Sequence, residues 1–233
     1  MIIIDRPWLA PLQPLLGQAL AAWQAGATVA QALAGSAPDL QSVVPRFVTQ
    51  TCLPAGEAYE AFIARTDSVP TRDDLHDFFN GLVWLTQPAV KRRLNRLQAA
   101  EIARAGVGAQ RGALRDALTL FDESGALLDA PTVLLTALRT RDWQALFITQ
   151  RARWVEARLL IVGHALLEKL ATAPRKPLTA HVLLADPLAL DAAGWAAKPF
   201  APLPVLGVPG WWPGNDDPTF YADSAVFRPS RAN

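Results

Sequence analysis

Residues 71–106, TRDDLHDFFNGLVWLTQPAVKRRLNRLQAAEIARAG, decide the fold class. Thr71 with Asp74 three residues on predicts a helix start: the hydroxyl accepts an orphan amide and the carboxylate suits the positive end of the dipole. At about 100° per residue, Leu75, Phe78, Phe79, Leu82, Val83 and Leu85 form one wide apolar face. Pro88 disfavours helical geometry at Gln87 and so ends this helix. The same proline suits the first position of a second helix, which runs to about Ala105 with Gly106 as its cap. Val90, Leu94, Leu97 and Glu101 share one side of it. Two long helices in succession make the chain predominantly helical.

Working outward, Pro14 opens a helical stretch to about Gln24, and Gly26-Ala27-Thr28 opens a shorter one ending near Gly35. Arg46–Gln50 reads as a strand, and Tyr59–Ile63 as a strand or equally a helix. Asp116–Leu128 combines an apolar run, a Glu-Ser-Gly turn and a second apolar run, which predicts a β-hairpin. Pro131–Leu138 and Asp142–Gln150 read as helical, the latter with Asp142 as N-cap. Leu159–Val162 reads as a buried strand, with Gly163-His164 its exit into a helix over Ala165–Leu170, and Thr179–Leu184 as another strand. From Pro199 onward, prolines and glycines interrupt one another around Trp211, Trp212, Phe220, Tyr221 and Phe227. Regular structure there should be sparse, and so much aromatic surface should pack on the body. The expectation is a single α+β domain over 1–233 with a small sheet and an irregular, extended Pro/Trp-rich segment at 199–233.

Half of the 233 residues are hydrophobic and 18% are charged, so a sizeable core is available. A formal net charge of +1 gives no global electrostatic attraction to nucleic acid or anionic membrane. No apolar run approaches the roughly 20 residues that span a bilayer. The N-terminal segment lacks the order of a secretory signal, and the one cysteine, Cys52, cannot form an intrachain disulfide. A cytoplasmic protein is expected.

The strings HDFFNGLVWLTQP (76–88), RGALRDALTLFDESG (111–125), GHALLEKL (163–170) and PLPVLGVPGWWPGN (202–215) are distinctive. From about Arg46 onward the chain resembles an uncharacterised bacterial family carried as a domain of unknown function. The resemblance implies a bacterial, proteobacterial source. It carries no activity, cofactor or catalytic residue with it.

Candidate chemistry centres on the three histidines, since imidazole is the side chain most used for proton transfer and metal ligation near neutral pH. His76 and Asn80 lie one helical turn apart and can address one ligand or ion, with Asp77 or Asp73 orienting the imidazole. The plain alternative is a pair that satisfies backbone groups at a packed helix. His164 stands at a strand's carboxyl end after Gly163, with Glu168 one turn further on the same face. Its plain alternative is a buried histidine bonded to a carbonyl. His181, mid-strand, reads as a core or edge histidine.

Asp116 and Asp122 suggest a cation site at the two ends of a strand, yet strand rise would separate them by about 20 Å. Asp122-Glu123-Ser124-Gly125 then reads as a turn. Gly106-Val-Gly108 with Arg111-Gly112 can seat a phosphate without any nucleotide fingerprint around it. Lys91, Arg92, Arg93 and Arg96 scatter around their helix, which favours a solvated face over a nucleic-acid surface.

The leading expectation is a small-molecule or phosphoester hydrolase. In it His76 and His164 share one pocket as ligands of a divalent metal or as general base, supported by Asp77, Asn80 and Glu168. Arg72, Arg115 and Asp116 would bind a small, phosphorylated substrate. Two rivals stand beside it: a non-catalytic binding module using the aromatic segment, and nucleic-acid binding through Lys91–Arg115, which a steep salt dependence would reveal.

Overall fold

The computed structural model describes residues 2–40, 42–106 and 112–229. It is α+β and mostly helical. In chain order the regular elements are α1 (Leu15–Gln24), α2 (Val29–Ser36), β1 (Arg46–Thr49), α3 (Tyr59–Thr66), β2 (Ser68–Thr71), α4 (Leu75–Thr86), α5 (Pro88–Ala105), α6 (Ala113–Ser124), β3 (Gly125–Asp129), α7 (Thr132–Thr140), β4 (Arg158–Ile161), α8 (His164–Thr172), β5 (Thr179–Leu183), α9 (Ala192–Ala196) and β6 (Phe200–Pro204). No described helix is long and apolar enough to cross a membrane. The chain forms two compact units. One comprises Pro11–Glu123 with Ala185–Lys198; the other comprises residues up to Ala10, Ser124–Leu184 and the segment from Pro199.

The first unit is helical around a two-stranded parallel pair, β1 on β2 with Phe47 opposite Val69. Thr28 caps α2 through a reciprocal box, its hydroxyl accepting from the Gln31 amide while the Gln31 side chain accepts from the Thr28 amide. The apolar face of α4 is buried as expected: Phe78, Phe79 and Leu82 are fully enclosed. Phe78 stacks on Trp23 at 5.2 Å and meets Phe79 edge-on at 5.7 Å. α5 begins at Pro88 and ends at Gly106, whose φ of +71° suits a residue without a Cβ. At the far end of the unit, Trp195 of α9 meets Phe121 of α6 edge-on at 5.3 Å.

The second unit is built on a four-stranded mixed sheet in the order β4-β3-β5-β6. β3 is central, antiparallel to β4 and parallel to β5, and β6 closes the order antiparallel to β5. The segment beyond Pro199 therefore supplies a strand as well as short 3-10 turns. Its aromatics are packed: Tyr221 stacks on Phe147 at 5.1 Å and Trp211 lies 5.8 Å from Trp8. Asn215 is fully buried, donating to the carbonyls of Leu206 and Val208. The Tyr221 hydroxyl donates to the Gly207 carbonyl, so the irregular backbone is satisfied internally.

Two local expectations are corrected. Residues 116–124 are not the first arm of a hairpin; they are the end of α6, and only β3 after Gly125 is a strand. Thr119, Phe121 and the Glu-Ser-Gly string favour β-structure locally, but Leu114, Ala117, Leu118 and Phe121 fall at i, i+3, i+4 and i+7, and burial of that stripe prevails. The cap of α4 is Asp74, whose Oδ1 accepts from the Asp77 amide at 2.8 Å, while Thr71 ends β2 and its hydroxyl donates to the Val69 carbonyl.

Gly163 is the tightest backbone approach in the sheet unit. A Cβ placed there would stand 2.3 Å from the Ser124 Cα and 2.6 Å from the Gly125 nitrogen. Gly35, inside α2, has open space instead. Gly163→Ala is expected to cost at least about 3 kcal/mol by forcing backbone apart, whereas Gly35→Ala should add about 0.5–1 kcal/mol through helix propensity. Urea unfolding of the two variants beside the wild type checks both signs.

Candidate functional site

The polar centre of the helical unit grows from the entry to α4. Asp74 caps the helix, and the next acidic residue, Asp77, turns back over the first turn. Its carboxylate accepts from the Arg72 amide at 2.7 Å, from Arg72 Nε at 3.1 Å and from Arg72 Nη2 at 2.8 Å. Asp77 is buried, and this charge-assisted fork pushes the Arg72 guanidinium above its ordinary range. Arg72 is therefore occupied by Asp77, with Asp74 at 3.5 Å as a further partner. Asp73 accepts from the Val29 amide at 2.7 Å and so holds the start of α2.

One turn along α4, Asn80 is buried and bonded at both ends. Its Nδ2 donates to the Tyr59 hydroxyl at 3.0 Å, and its Oδ1 accepts from Lys91 Nζ at 2.9 Å. Lys91 is 4% exposed, which overturns its expected place on a solvated face. The ammonium ion-pairs with Asp122 of α6 and sits 5.4 Å from the Trp84 ring centre. Asp122 is thus a partner of a buried cation on a helix and not a turn former. A void of about 30 Å³, room for roughly one water, adjoins Tyr59, Trp84, Lys91, Asn95, Gln98 and Asp122. Burial, with the Asp77 charge second, raises the Tyr59 phenol well above the usual tyrosine range, so it stays neutral as the acceptor for Asn80.

The neighbours of this network are the candidate ligands. His76 precedes Asp77 on α4, and Glu123 follows Asp122 on α6. Their ligating atoms approach within 4.8 Å, and both side chains are half-buried. Lys91 ties α4 to α6 through Asn80 and Asp122, so it holds the two helix segments from which His76 and Glu123 project. Glu123 is a candidate ligand that sequence reading missed. The helical spacing from Leu114 to Phe121 was the available signal, but the hairpin reading placed Glu123 in a turn.

In the sheet unit His164 is buried and opens α8, with Glu168 half-buried one turn along the same helix. His181 lies on β5 with Nδ1 3.0 Å from the Ser124 hydroxyl and its ring against Phe200 at 6.2 Å. Asp116 is exposed and pairs with Lys198; on a helix, the strand-based separation from Asp122 no longer applies. The Arg115 Nε is buried without a hydrogen-bond partner among the described residues. Of the remaining basic residues of α5, Arg92 pairs with Asp67, Arg93 Nη2 donates to the Leu190 carbonyl at 2.6 Å, and Arg104 pairs with Glu101. The glycine-flanked phosphate seat at Val107–Arg111 lies outside the described residues.

A family model described as "Protein of unknown function (DUF3025)" matches residues 45–192 and 182–231. No curated protein and no solved structure matches the chain.

Removing Lys91 strands a half-buried carboxylate and a buried amide, so Lys91→Met is expected to cost about 3 kcal/mol, and Lys91→Met with Asp122→Leu to recover part of it. Chemical denaturation of the single and double variants reads both. On alkaline titration, the raised folded-state pKa of both tyrosines, Tyr59 and Tyr221, sets the sign. Their stabilisation is complete below the unfolded value of about 10 and falls as pH rises above it. Phenolate absorbance from Tyr59 should therefore appear only with loss of the helical circular-dichroism signal.

Proposed function

The chain belongs to the DUF3025 family of proteins of unknown function, and for it we propose a divalent-metal-dependent hydrolase of small, anionic substrates whose ion is held by His76 and Glu123 of the helical unit. The observation that carries the reading is the approach of His76 to Glu123 in the helical unit, braced by the buried Lys91 bridge. In the sheet unit Ser124 is pressed against Gly163, and His164 is the next residue. The amides of Val162 and Gly163 both donate to the Gly125 carbonyl, at 3.0 and 2.9 Å, which fixes the backbone leading into His164.

An imidazole and a carboxylate are donors suited to zinc or a similar first-row ion, whose other positions would be filled by water or substrate. Such an ion supplies a hydroxide near neutral pH and polarises a carbonyl or phosphoryl oxygen. The chain's own contribution is to hold the donors. The Asp77–Arg72 fork and the Asp74 cap fix the first turn of α4 and with it His76. The Lys91–Asp122 pair fixes the end of α6 and with it Glu123. Arg115 and Asp116 are the candidates for substrate contact; in the sheet unit His164 and Glu168, one turn apart on α8, are a separate acid–base candidate. A cytoplasmic location belongs to the same proposal.

The test is metal content by mass spectrometry on protein purified without a polyhistidine tag or chelator. The expected result is one equivalent of ion in the wild type, falling at least about tenfold in His76→Ala and Glu123→Gln, with both melting cooperatively. Retention of the ion in either variant removes that residue from the set. A stoichiometric ion that is iron would replace hydrolysis with redox chemistry on the same donors.

A further inference from the structure

The sheet unit carries a groove of about 360 Å³ with the chemistry of an anion site. Its floor is apolar and poor in donors: Pro177, Pro202 and Pro204, with the edge of Trp143. Pro204 stands opposite Thr179 across the β5–β6 pair, so the sheet itself sets the floor. Two arginines line the groove, Arg141 and Arg228. Trp143 fixes one wall, donating from Nε1 to the Arg228 carbonyl at 2.8 Å and stacking on Phe147 at 6.0 Å.

Neither arginine meets a carboxylate among the described residues. Arg228 Nε donates to the Ala225 carbonyl at 3.0 Å. The acids nearest in sequence are otherwise engaged: Asp142 accepts from the Ala145 amide at 2.9 Å, and Asp223 pairs with Lys176 at 3.2 Å. Arg141 also holds a left-handed backbone, φ +53° and ψ +36°, at the end of α7. That conformation disfavours an ordinary side chain, and strain of this kind concentrates at binding sites.

We propose that this groove binds a phosphomonoester or phosphonate that carries an apolar group. A single dianionic headgroup neutralises both guanidiniums through planar, charge-assisted hydrogen bonds, and its apolar body covers the proline floor. The site lies within one unit and does not rest on the metal reading.

The experiment is isothermal titration of the full chain with phenylphosphonate, which no hydrolase of phosphoesters consumes, in parallel with inorganic phosphate and benzyl alcohol. Saturable one-to-one binding of phenylphosphonate is expected, with inorganic phosphate at least about tenfold weaker and benzyl alcohol without measurable affinity. Arg141→Asn, which keeps a residue tolerant of the left-handed backbone, and Arg228→Gln should each weaken binding at least about tenfold. Arg175→Gln, outside the groove, and His76→Ala should leave it unchanged. Absence of saturable binding, equal affinity in all variants, or benzyl alcohol binding as tightly as phenylphosphonate would overturn the proposal. Loss of binding in His76→Ala alone would assign the headgroup to the metal site instead.

Discussion

A single buried ammonium organises the helical unit. Lys91 lies in the first turn of α5 yet delivers its charge inward, where Asn80 of α4 and Asp122 of α6 receive it. Taking that charge from water costs several kcal/mol, and only a complete set of partners offsets it. The consequence is geometric: three helices are held at one point, with little freedom for any of them to slide. Tyr59 extends the constraint to α3, because its neutral hydroxyl receives the remaining donor of Asn80.

This arrangement sets a structural anchor and a candidate ligand side by side along each helix. On α4, Asp77 and Asn80 are committed to internal partners and His76 stands beside them. On α6, Asp122 is committed to Lys91 and Glu123 stands beside it. Consecutive helical residues differ by about 100°, so a buried anchor and its neighbour necessarily face different surroundings. Asp73 and Asp77, which the sequence offers as orienting groups for His76, accept from the Val29 amide and from Arg72, and Asp74 caps α4.

The long periodic segments were legible from residues alone. The apolar stripe of α4, the Pro88 boundary and the Gly106 cap all follow from local stereochemistry, and β1, β4 and β5 from short apolar runs. The stretch from Asp116 to Gly125 was not, because β-favouring residues compete there with a helical stripe and tertiary burial decides between them. That one misreading hid Glu123 and misassigned Asp122. The burial of Lys91 was equally hidden: a Lys-Arg-Arg string reads as solvated unless its partners, 11 residues upstream and 31 downstream, are already in place. His76, Asp77 and Asn80 stood out by composition, but their division into anchor and candidate ligand needed three dimensions.

The prolines of β6 have a consequence beyond the groove they floor. β6 is the last strand of its sheet, and such a strand ordinarily offers a row of backbone donors to any passing chain. In Phe200-Ala-Pro-Leu-Pro204, alternate residues show the same edge, and Pro202 and Pro204 occupy one of those alternating rows. Proline has no amide hydrogen, so two of the three positions in that row offer no donor to a new ladder. The strand keeps its bonds to β5 while its proline row is depleted of donors, which makes a second copy of the sheet a poorer partner for it.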